Sequence, residues 1–154
     1  AKGIFVFNNE WRKHLLVATV TGVVPYVSFI RDYIKKIEKQ ELQSNQHEMH
    51  VLMGASYLDE FTYDSELEEA ASKYPDLVTF VPTVSRPDEQ KNALWTGAKG
   101  RVNAIVEDYI NDKELSSEDT LIYACGHPGM IEDVKSKMVP LGFTVDEERF
   151  WKED

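Results

Sequence analysis

The feature that most constrains the fold is a regular alternation of short apolar runs with longer segments of helical periodicity. Five runs are typical of buried strands: His14–Thr19, Met49–Met53, Leu77–Val84, Thr120–Ala124 and Phe143–Val145. The segments between them place apolar residues three and four positions apart, as on one face of a helix: Tyr26–Ile37, Leu67–Tyr74, Val102–Ile110 and Met130–Leu141. Each crossover helix returns the chain in the same direction. The sequence therefore predicts an α/β fold, an open parallel five-stranded sheet with helices on both faces.

Several residues predict where the helices begin and end. Pro25 stands at the first turn of the first helix, where a missing N–H has no cost. Ser65, followed by Glu68 three residues later, is the pattern of a capping box at the start of the second helix. Gly142 follows the last apolar position of the fourth helix and is expected to close it.

Composition excludes several classes of partner. The chain has 154 residues and a formal net charge of −10, so a nucleic-acid backbone or an anionic membrane would be repelled. No apolar run reaches the roughly 18 to 20 residues that span a bilayer. Cys125 is the single cysteine, which excludes an internal disulfide and favours a reducing, cytoplasmic location. His47 and His50 lack further metal ligands nearby, so no metal site is predicted.

The unusual residues of the chain follow the predicted strands. Ligands of open parallel sheets bind outside the carboxyl ends of the strands. At those ends lie Thr19–Gly22, Gly54–Ser56, Ser85–Arg86 and Cys125–Pro128. The coincidence predicts a crevice of nucleotide size. The phosphate loop of kinases and GTPases and the Gly-x-Ser-x-Gly element of hydrolases are both missing from the sequence, so neither chemistry is indicated.

Four segments and the chain's end also resemble a known family. They are Val17–Pro25, the stretch from Leu52–Ser56 to Tyr63–Leu67, Val84–Pro87 with Trp95–Val102, Ala124–Met130, and the close Glu148–Trp151. Together they resemble the nicotinamide-binding domains of ferredoxin–NADP reductases and of related oxygenase, nitrate and hydrogenase-linked reductases. The resemblance covers nearly the whole chain and implies the Rossmann-like fold of the ferredoxin reductase C-terminal domain.

The resemblance implies a set of site residues. Those expected to bind the nicotinamide cofactor are Thr19, Thr21, Gly22, Pro25, Ser56, Ser85, Arg86, Arg101, Gly126, Pro128, Met130 and Trp151. Guanidinium groups with a hydroxyl donor suit a dianionic 2′-phosphate, so Ser85, Arg86 and Arg101 favour NADPH over NADH. The alternative for both arginines is a solvated loop charge.

Two residues are implied at the site of hydride transfer. Cys125 is small and polarisable and would allow the nicotinamide to approach a flavin closely; its alternative is a buried residue at a strand end. Glu148 is the candidate to orient a proton relay, with a solvated surface carboxylate as the alternative. Trp151 would pack beside the flavin and yield to nicotinamide, or simply dock onto the domain.

The first turn departs from the family pattern. Val20 stands where the family has a glycine, and Ser56 stands where many members have an arginine. A β-branched residue resists a positive φ angle and adds bulk near the ligand path, so the turn is expected either to differ or to bind nucleotide less tightly.

The domain organisation follows from the resemblance. Residues 14–154 are expected to form the NAD(P)-binding domain, and residues 1–13 resemble the closing segment of a preceding flavin barrel. FAD would then be held by a missing domain or a partner chain, and the electron acceptor would be a ferredoxin or a flavodoxin-like carrier. Alternatives are an electron-transfer subunit that uses NADH, a non-catalytic nucleotide-sensing module, and an interaction domain that presents an acidic surface.

Overall fold

The computed structural model describes residues 10–149, apart from the side chains of Thr21 and Arg149. The strands are β1 Lys13–Thr19, β2 Glu48–Ala55, β3 Val78–Val84, β4 Ala98–Lys99, β5 Thr120–Gly126 and β6 Thr144–Arg149. The helices are α1 Val24–Glu38, α2 Asp64–Lys73, α3 Val102–Lys113 and α4 Pro128–Met138. Most of the predicted flavin-barrel remnant and Trp151 lie outside the described residues, so those predictions are untested.

The strands form one parallel sheet in the order β4-β3-β2-β1-β5-β6. The chain builds outward from β1 to β4 and then returns to place β5 on the other side of β1. The predicted parallel α/β sheet is confirmed, but its count of five strands is wrong. The sixth strand, β4, has two residues, too few to show an apolar period in the sequence.

The four helices cover the two faces of the sheet, as predicted. One buried cluster joins Leu16 and Ala18 of β1 to residues of α1 and α2. A second cluster joins Leu15 and Val17 to residues of α3 and α4. Because successive side chains of a strand point to opposite faces, β1 contributes alternately to both cores. This double coverage explains why β1 and β5 are apolar without interruption.

The helix boundaries match two of the three sequence signals. Pro25 lies in the first turn of α1, and Gly142 adopts φ +97° after a short 3₁₀ turn, Val139–Leu141. The capping box at Ser65 is wrong. The N-cap of α2 is Tyr63, two residues before Ser65, with φ +62° and no side-chain capping bond, so Ser65 lies inside the first turn of the helix. Within residues 10–149 no helix is long and apolar enough to cross a membrane.

Candidate functional site

The site begins where the strand order changes direction, at the carboxyl ends of β1 and β5. Such a switch point leaves a crevice, because the connections from the two strands run to opposite faces of the sheet. Here the backbone N–H of His127 donates to Thr19 Oγ1 over 2.9 Å, which ties the two strand ends together. Gly126 adopts φ +128°, a conformation that L side chains rarely take, and an added Cβ would overlap Thr19.

Two further glycines let backbone segments approach each other at this edge. A Cβ at Gly22, in the turn Val20–Val23, would overlap the carbonyl oxygen of Cys125. A Cβ at Gly54 would lie 2.7 Å from Val102 Cβ, so glycine permits α3 to start close to β2. Close approach of this kind leaves backbone N–H groups and helix ends exposed to a ligand.

A cleft of about 430 Å³ runs along the carboxyl edge. Its lining residues are Thr19, Val20, Gly54, Ala55, Ser56, Ser85, Arg101, Val102, Asn103, His127, Gly129 and Met130. Five predicted cofactor-binding residues are among them: Thr19, Ser56, Ser85, Arg101 and Met130. Gly22, Pro25, Gly126 and Pro128 support the turns and helix starts around the cleft and do not line it. The side chain of Thr21 is not described.

A second recess adjoins the cleft and shares Ser56, Ser85 and Arg101 with it. It measures about 390 Å³ and adds Arg86, Pro87, Asp88 and Glu89 to its lining. The structure therefore brings together the three residues predicted to hold a 2′-phosphate. It also places two carboxylates beside them, which the sequence interpretation had not considered.

Two helix starts face the cleft. Arg101 is the residue before α3, and His127 is the residue before α4, where its Nδ1 accepts a hydrogen bond from the backbone N–H of Gly129 over 3.0 Å. Helix N-termini carry unpaired N–H groups and a partial positive charge, so anionic ligands are stabilised there. Asn103 donates to Asp133 Oδ2 over 2.7 Å and links the two helices behind the cleft, and this bond lowers the pKa of Asp133.

Several residues of the site, in the lining and behind it, were missed by the sequence interpretation. Asn103 and Gly129 each lie in the first turn of a helix that follows a predicted site segment, so helix starts were the available signal. No sequence signal marked Asn92 as part of the site. It lies in a loop of polar residues, yet only 2% of its surface is exposed.

Asn92 holds the loops around the recess in place. Its Nδ2 donates to the carbonyl oxygens of Ser56 over 2.9 Å and of Arg86 over 2.8 Å. Its Oδ1 accepts from the backbone N–H of Leu58 over 2.8 Å. One buried side chain therefore joins the loop after β2 to the loop after β3.

Comparison with protein families identifies the domain. The model of the oxidoreductase NAD-binding domain matches residues 16–136, which is most of the chain. This chain belongs to the oxidoreductase NAD-binding domain family. The predicted nicotinamide-binding domain of the ferredoxin–NADP reductase type is therefore confirmed.

The NAD-binding domain is similar to part of several larger proteins. It is 27% identical over 128 residues to the embryo isozyme of chloroplastic ferredoxin–NADP reductase from Oryza sativa, covering 81% of this chain and 32% of that protein. It is 28% identical over 132 residues to the electron transfer component of toluate 1,2-dioxygenase from Pseudomonas putida, covering 86% and 34%. The chain thus spans about a third of the length of these relatives.

Solved structures share the fold of the NAD-binding domain. A ferredoxin–NADP⁺ reductase from Neisseria gonorrhoeae with bound FAD and NADP has a TM-score of 0.67 at 16% identity, covering 92% of this chain and 57% of that one. The cytochrome b5 reductase domain of Ulva prolifera nitrate reductase has a TM-score of 0.69 at 22% identity, covering 89% and 50%.

The two residues predicted at the hydride-transfer site lie on adjacent strands of the NAD-binding domain. Cys125 and Glu148 are register partners on β5 and β6. Cys125 is fully buried, packs in the same cluster as Tyr26 and Tyr123, and does not line the described cleft. Burial, with a smaller contribution from Glu148, raises the pKa of the Cys125 thiol to about 12. At neutral pH the thiol is therefore protonated and serves as a small apolar group, not as a nucleophile.

Metal binding finds no support in the described part of this NAD-binding domain. Within residues 10–149 there is no group of three or more His, Cys, Asp or Glu side chains that could hold a metal ion. The ring of His47 instead contacts the ring of His14, and His50 contacts Tyr109 and Glu48.

Val20 has a positive φ angle, contrary to the expectation that a β-branched residue would avoid one. It adopts φ +38°, lines the cleft and directly follows Thr19 at the end of β1. This conformation brings the valine Cβ against its own backbone, a strain of about 1–3 kcal/mol. The turn after β1 is therefore strained at Val20.

Replacement of Val20 by glycine is expected to stabilise the NAD-binding domain. Relief of the strained φ outweighs the entropy cost of glycine, so Val20→Gly should raise the free energy of unfolding by about 1 kcal/mol in urea titrations. Removal of the side chain from the cleft should also tighten nucleotide binding. Val24→Gly is the matched control, because Val24 lies in α1 without a positive φ and should lose stability. Equal losses of stability in Val20→Gly and Val24→Gly would contradict the strain at Val20.

Proposed function

We propose that this chain is the nucleotide-binding part of a flavin-dependent oxidoreductase. It would take NADPH in preference to NADH and deliver hydride to FAD held in another domain or a partner chain. Electrons would then pass to a ferredoxin or a flavodoxin-like carrier. Family membership and the relatives named as ferredoxin–NADP reductases support the activity. The single free cysteine supports a cytoplasmic setting.

The single observation that carries the nucleotide preference is the recess beside the cleft. Ser85, Arg86 and Arg101 come from two separate loops and meet there, next to the ends of β2 and β3. Among the residues that the structure describes, Arg101 has no carboxylate partner, so its guanidinium is available to an anion. Two guanidinium groups and a hydroxyl form a donor set suited to a phosphate dianion.

The cleft and the recess together fit an extended dinucleotide. The first turn of α4 and the Thr19 hydroxyl, at the end of β1, would hold the pyrophosphate by backbone N–H and hydroxyl donors, with the phosphate replacing His127 Nδ1 as the acceptor of the Gly129 N–H. Arg101 and Ser85 would hold the adenosine end. When bound, the nicotinamide supplies hydride-transfer chemistry to a flavin.

The chain's own residues would orient the nicotinamide and exclude water from it. Gly126 lets the end of β5 pack directly against Thr19, which lines the cleft and would help to orient the nicotinamide there. Cys125, buried beneath this strand end, is proposed to keep the packing behind the transfer site small and uncharged, since its thiol is neutral. Glu148, on the neighbouring strand, is proposed to orient a proton relay.

Calorimetric titration of the 154-residue chain with NADP⁺, NAD⁺ and 2′,5′-ADP tests the proposal. NADP⁺ and 2′,5′-ADP are expected to bind, and Arg101→Ala should weaken both by about tenfold or more, because a charge-assisted contact contributes about 1.5–3 kcal/mol. NAD⁺ binding should change little. Arg31→Ala is the matched control, since Arg31 is an exposed arginine on α1 that pairs with Glu66 away from the cleft. Absence of binding by all three ligands would reject the proposed function.

A further inference from the structure

The recess that is proposed to hold the 2′-phosphate already contains a carboxylate bound to one of its arginines. Glu89 Oε2 lies 3.7 Å from Arg86 Nη1. Glu89 Oε1 accepts a hydrogen bond from the Tyr57 hydroxyl over 3.3 Å. The Arg86 guanidinium in turn lies over the Tyr57 ring, 5.7 Å from its centroid. Glu89, Arg86 and Tyr57 thus each contact the other two at the wall of the recess.

The backbone of Glu89 is fixed, so its side chain is directed towards the recess. The N–H of Glu89 donates to the carbonyl of Arg86 over 3.1 Å, and the carbonyl of Glu89 accepts from Asn92 over 2.9 Å. Asn92 is itself buried and bound to the carbonyl of Arg86. The loop thus fixes the backbone positions of Glu89 and Arg86, while their half-exposed side chains can change partners.

The ion pair is exchangeable because both partners are half exposed. The side chain of Arg86 is 54% exposed and that of Glu89 is 48% exposed. Pairs of this exposure contribute little to stability, since water screens them. A phosphate dianion entering the recess would therefore compete with Glu89 for Arg86, and it would also meet repulsion from the Glu89 charge.

We propose that Glu89 is a specificity-determining residue that acts as an internal competitor for the 2′-phosphate on Arg86. The inference rests on the proposed function. A nucleotide with a 2′-phosphate must displace the carboxylate, whereas a nucleotide with a free 2′-hydroxyl leaves the Arg86–Glu89 pair intact. Glu89 thereby weakens the NADPH preference that Arg86 and Arg101 would otherwise give, while NADH binding is unaffected.

Removal of the Glu89 charge at constant size tests the inference. Glu89→Gln is expected to raise the affinity of the chain for NADP⁺ and 2′,5′-ADP by about three- to tenfold in calorimetric titrations at low salt. The affinity for NAD⁺ should stay within about twofold. The gain should shrink at physiological salt, because the repulsion is between exposed charges.

Two further variants separate competition from a general charge effect. Asp88→Asn makes the same charge change in the same recess, and Asp88 has no ion pair in the described part of the chain. The gain in NADP⁺ affinity from Asp88→Asn should be clearly smaller than the gain from Glu89→Gln. In an Arg86→Ala background the gain from Glu89→Gln should fall at least twofold, since the arginine to be released is gone.

The possible outcomes distinguish failure of the Glu89 competition from failure of the proposed function. If the unaltered chain binds NADP⁺ through Arg101 but Glu89→Gln changes nothing, the competition is refuted and the proposed function stands. Equal gains from Asp88→Asn and Glu89→Gln, or an additive effect with Arg86→Ala, would also refute the competition. If the unaltered chain binds no nucleotide, the proposed function itself fails.

Discussion

Asn92→Ala is expected to lower the free energy of unfolding by about 3 kcal/mol. The alanine leaves the carbonyls of Ser56 and Arg86 and the N–H of Leu58 without their side-chain partner, at about 1 kcal/mol for each bond. For a chain of this size the loss corresponds to a melting temperature lower by about 6–12 °C. Nucleotide binding should weaken as well, because the released loops carry Ser56, Ser85 and Arg86. Urea unfolding and titration with 2′,5′-ADP measure the two effects.

Asn92→Asp shows whether hydrogen bonding or packing causes the loss. Aspartate has nearly the same shape and still accepts from Leu58, but it places a carboxylate oxygen against two carbonyl oxygens. It should therefore be at least as destabilising as alanine. Asn111→Ala, at an exposed position of α3, is the control and should change stability by less than about 0.5 kcal/mol. A stable Asn92→Asp variant would contradict the proposed role of the two donated bonds.

The architecture could be predicted because it depends on patterns that are local in sequence. Buried parallel strands are continuously apolar, and crossover helices repeat every three or four residues, so both signals survive without any tertiary information. The missed strand β4, Ala98–Lys99, owes its pairing to Thr83 and Val84 of β3, not to its own composition. The start of α2 was misplaced by two residues because Tyr63, with φ +62°, turns the chain into the helix before the expected cap at Ser65.

The site could be predicted only in part because distant segments build it. The strand ends identified Thr19 and Ser85, the family resemblance identified Arg101, and the structure does bring them to one edge. The roles of Asn92 and Glu89 depend on contacts between loops, so no sequence motif marks these two residues. Asn92 is buried only because three loop segments fold around it, and Glu89 matters only because Arg86 lies 3.7 Å away. Such contacts appear once the loops have folded.

A buried histidine pair lies at the opposite end of β1 from the cleft. His14 is fully buried, with its Nε2 3.2 Å from Nδ1 of His47 and its Nδ1 3.3 Å from the Tyr123 hydroxyl. Burial, and then the charge of His47, lower the pKa of His14 to about 3, and burial also lowers the pKa of His47. Two protonated rings in contact would place like charges together inside the core.

The free energy of unfolding is therefore expected to fall as the pH falls from about 6.5 to 4.5. In this window the unfolded chain protonates His14 near its ordinary pKa of about 6.5, whereas the folded chain does not, so His14 alone removes about 1.4 kcal/mol per pH unit. Urea unfolding at pH values of about 7, 6, 5 and 4.5 measures the slope, and comparison with His14→Gln subtracts the contribution of carboxylates that begin to titrate near the lower end of this range. His14→Gln should reduce the slope by about that amount. An unaltered slope in His14→Gln would show that the buried pair does not cause the acid sensitivity, because no other change in that variant removes a proton-binding group.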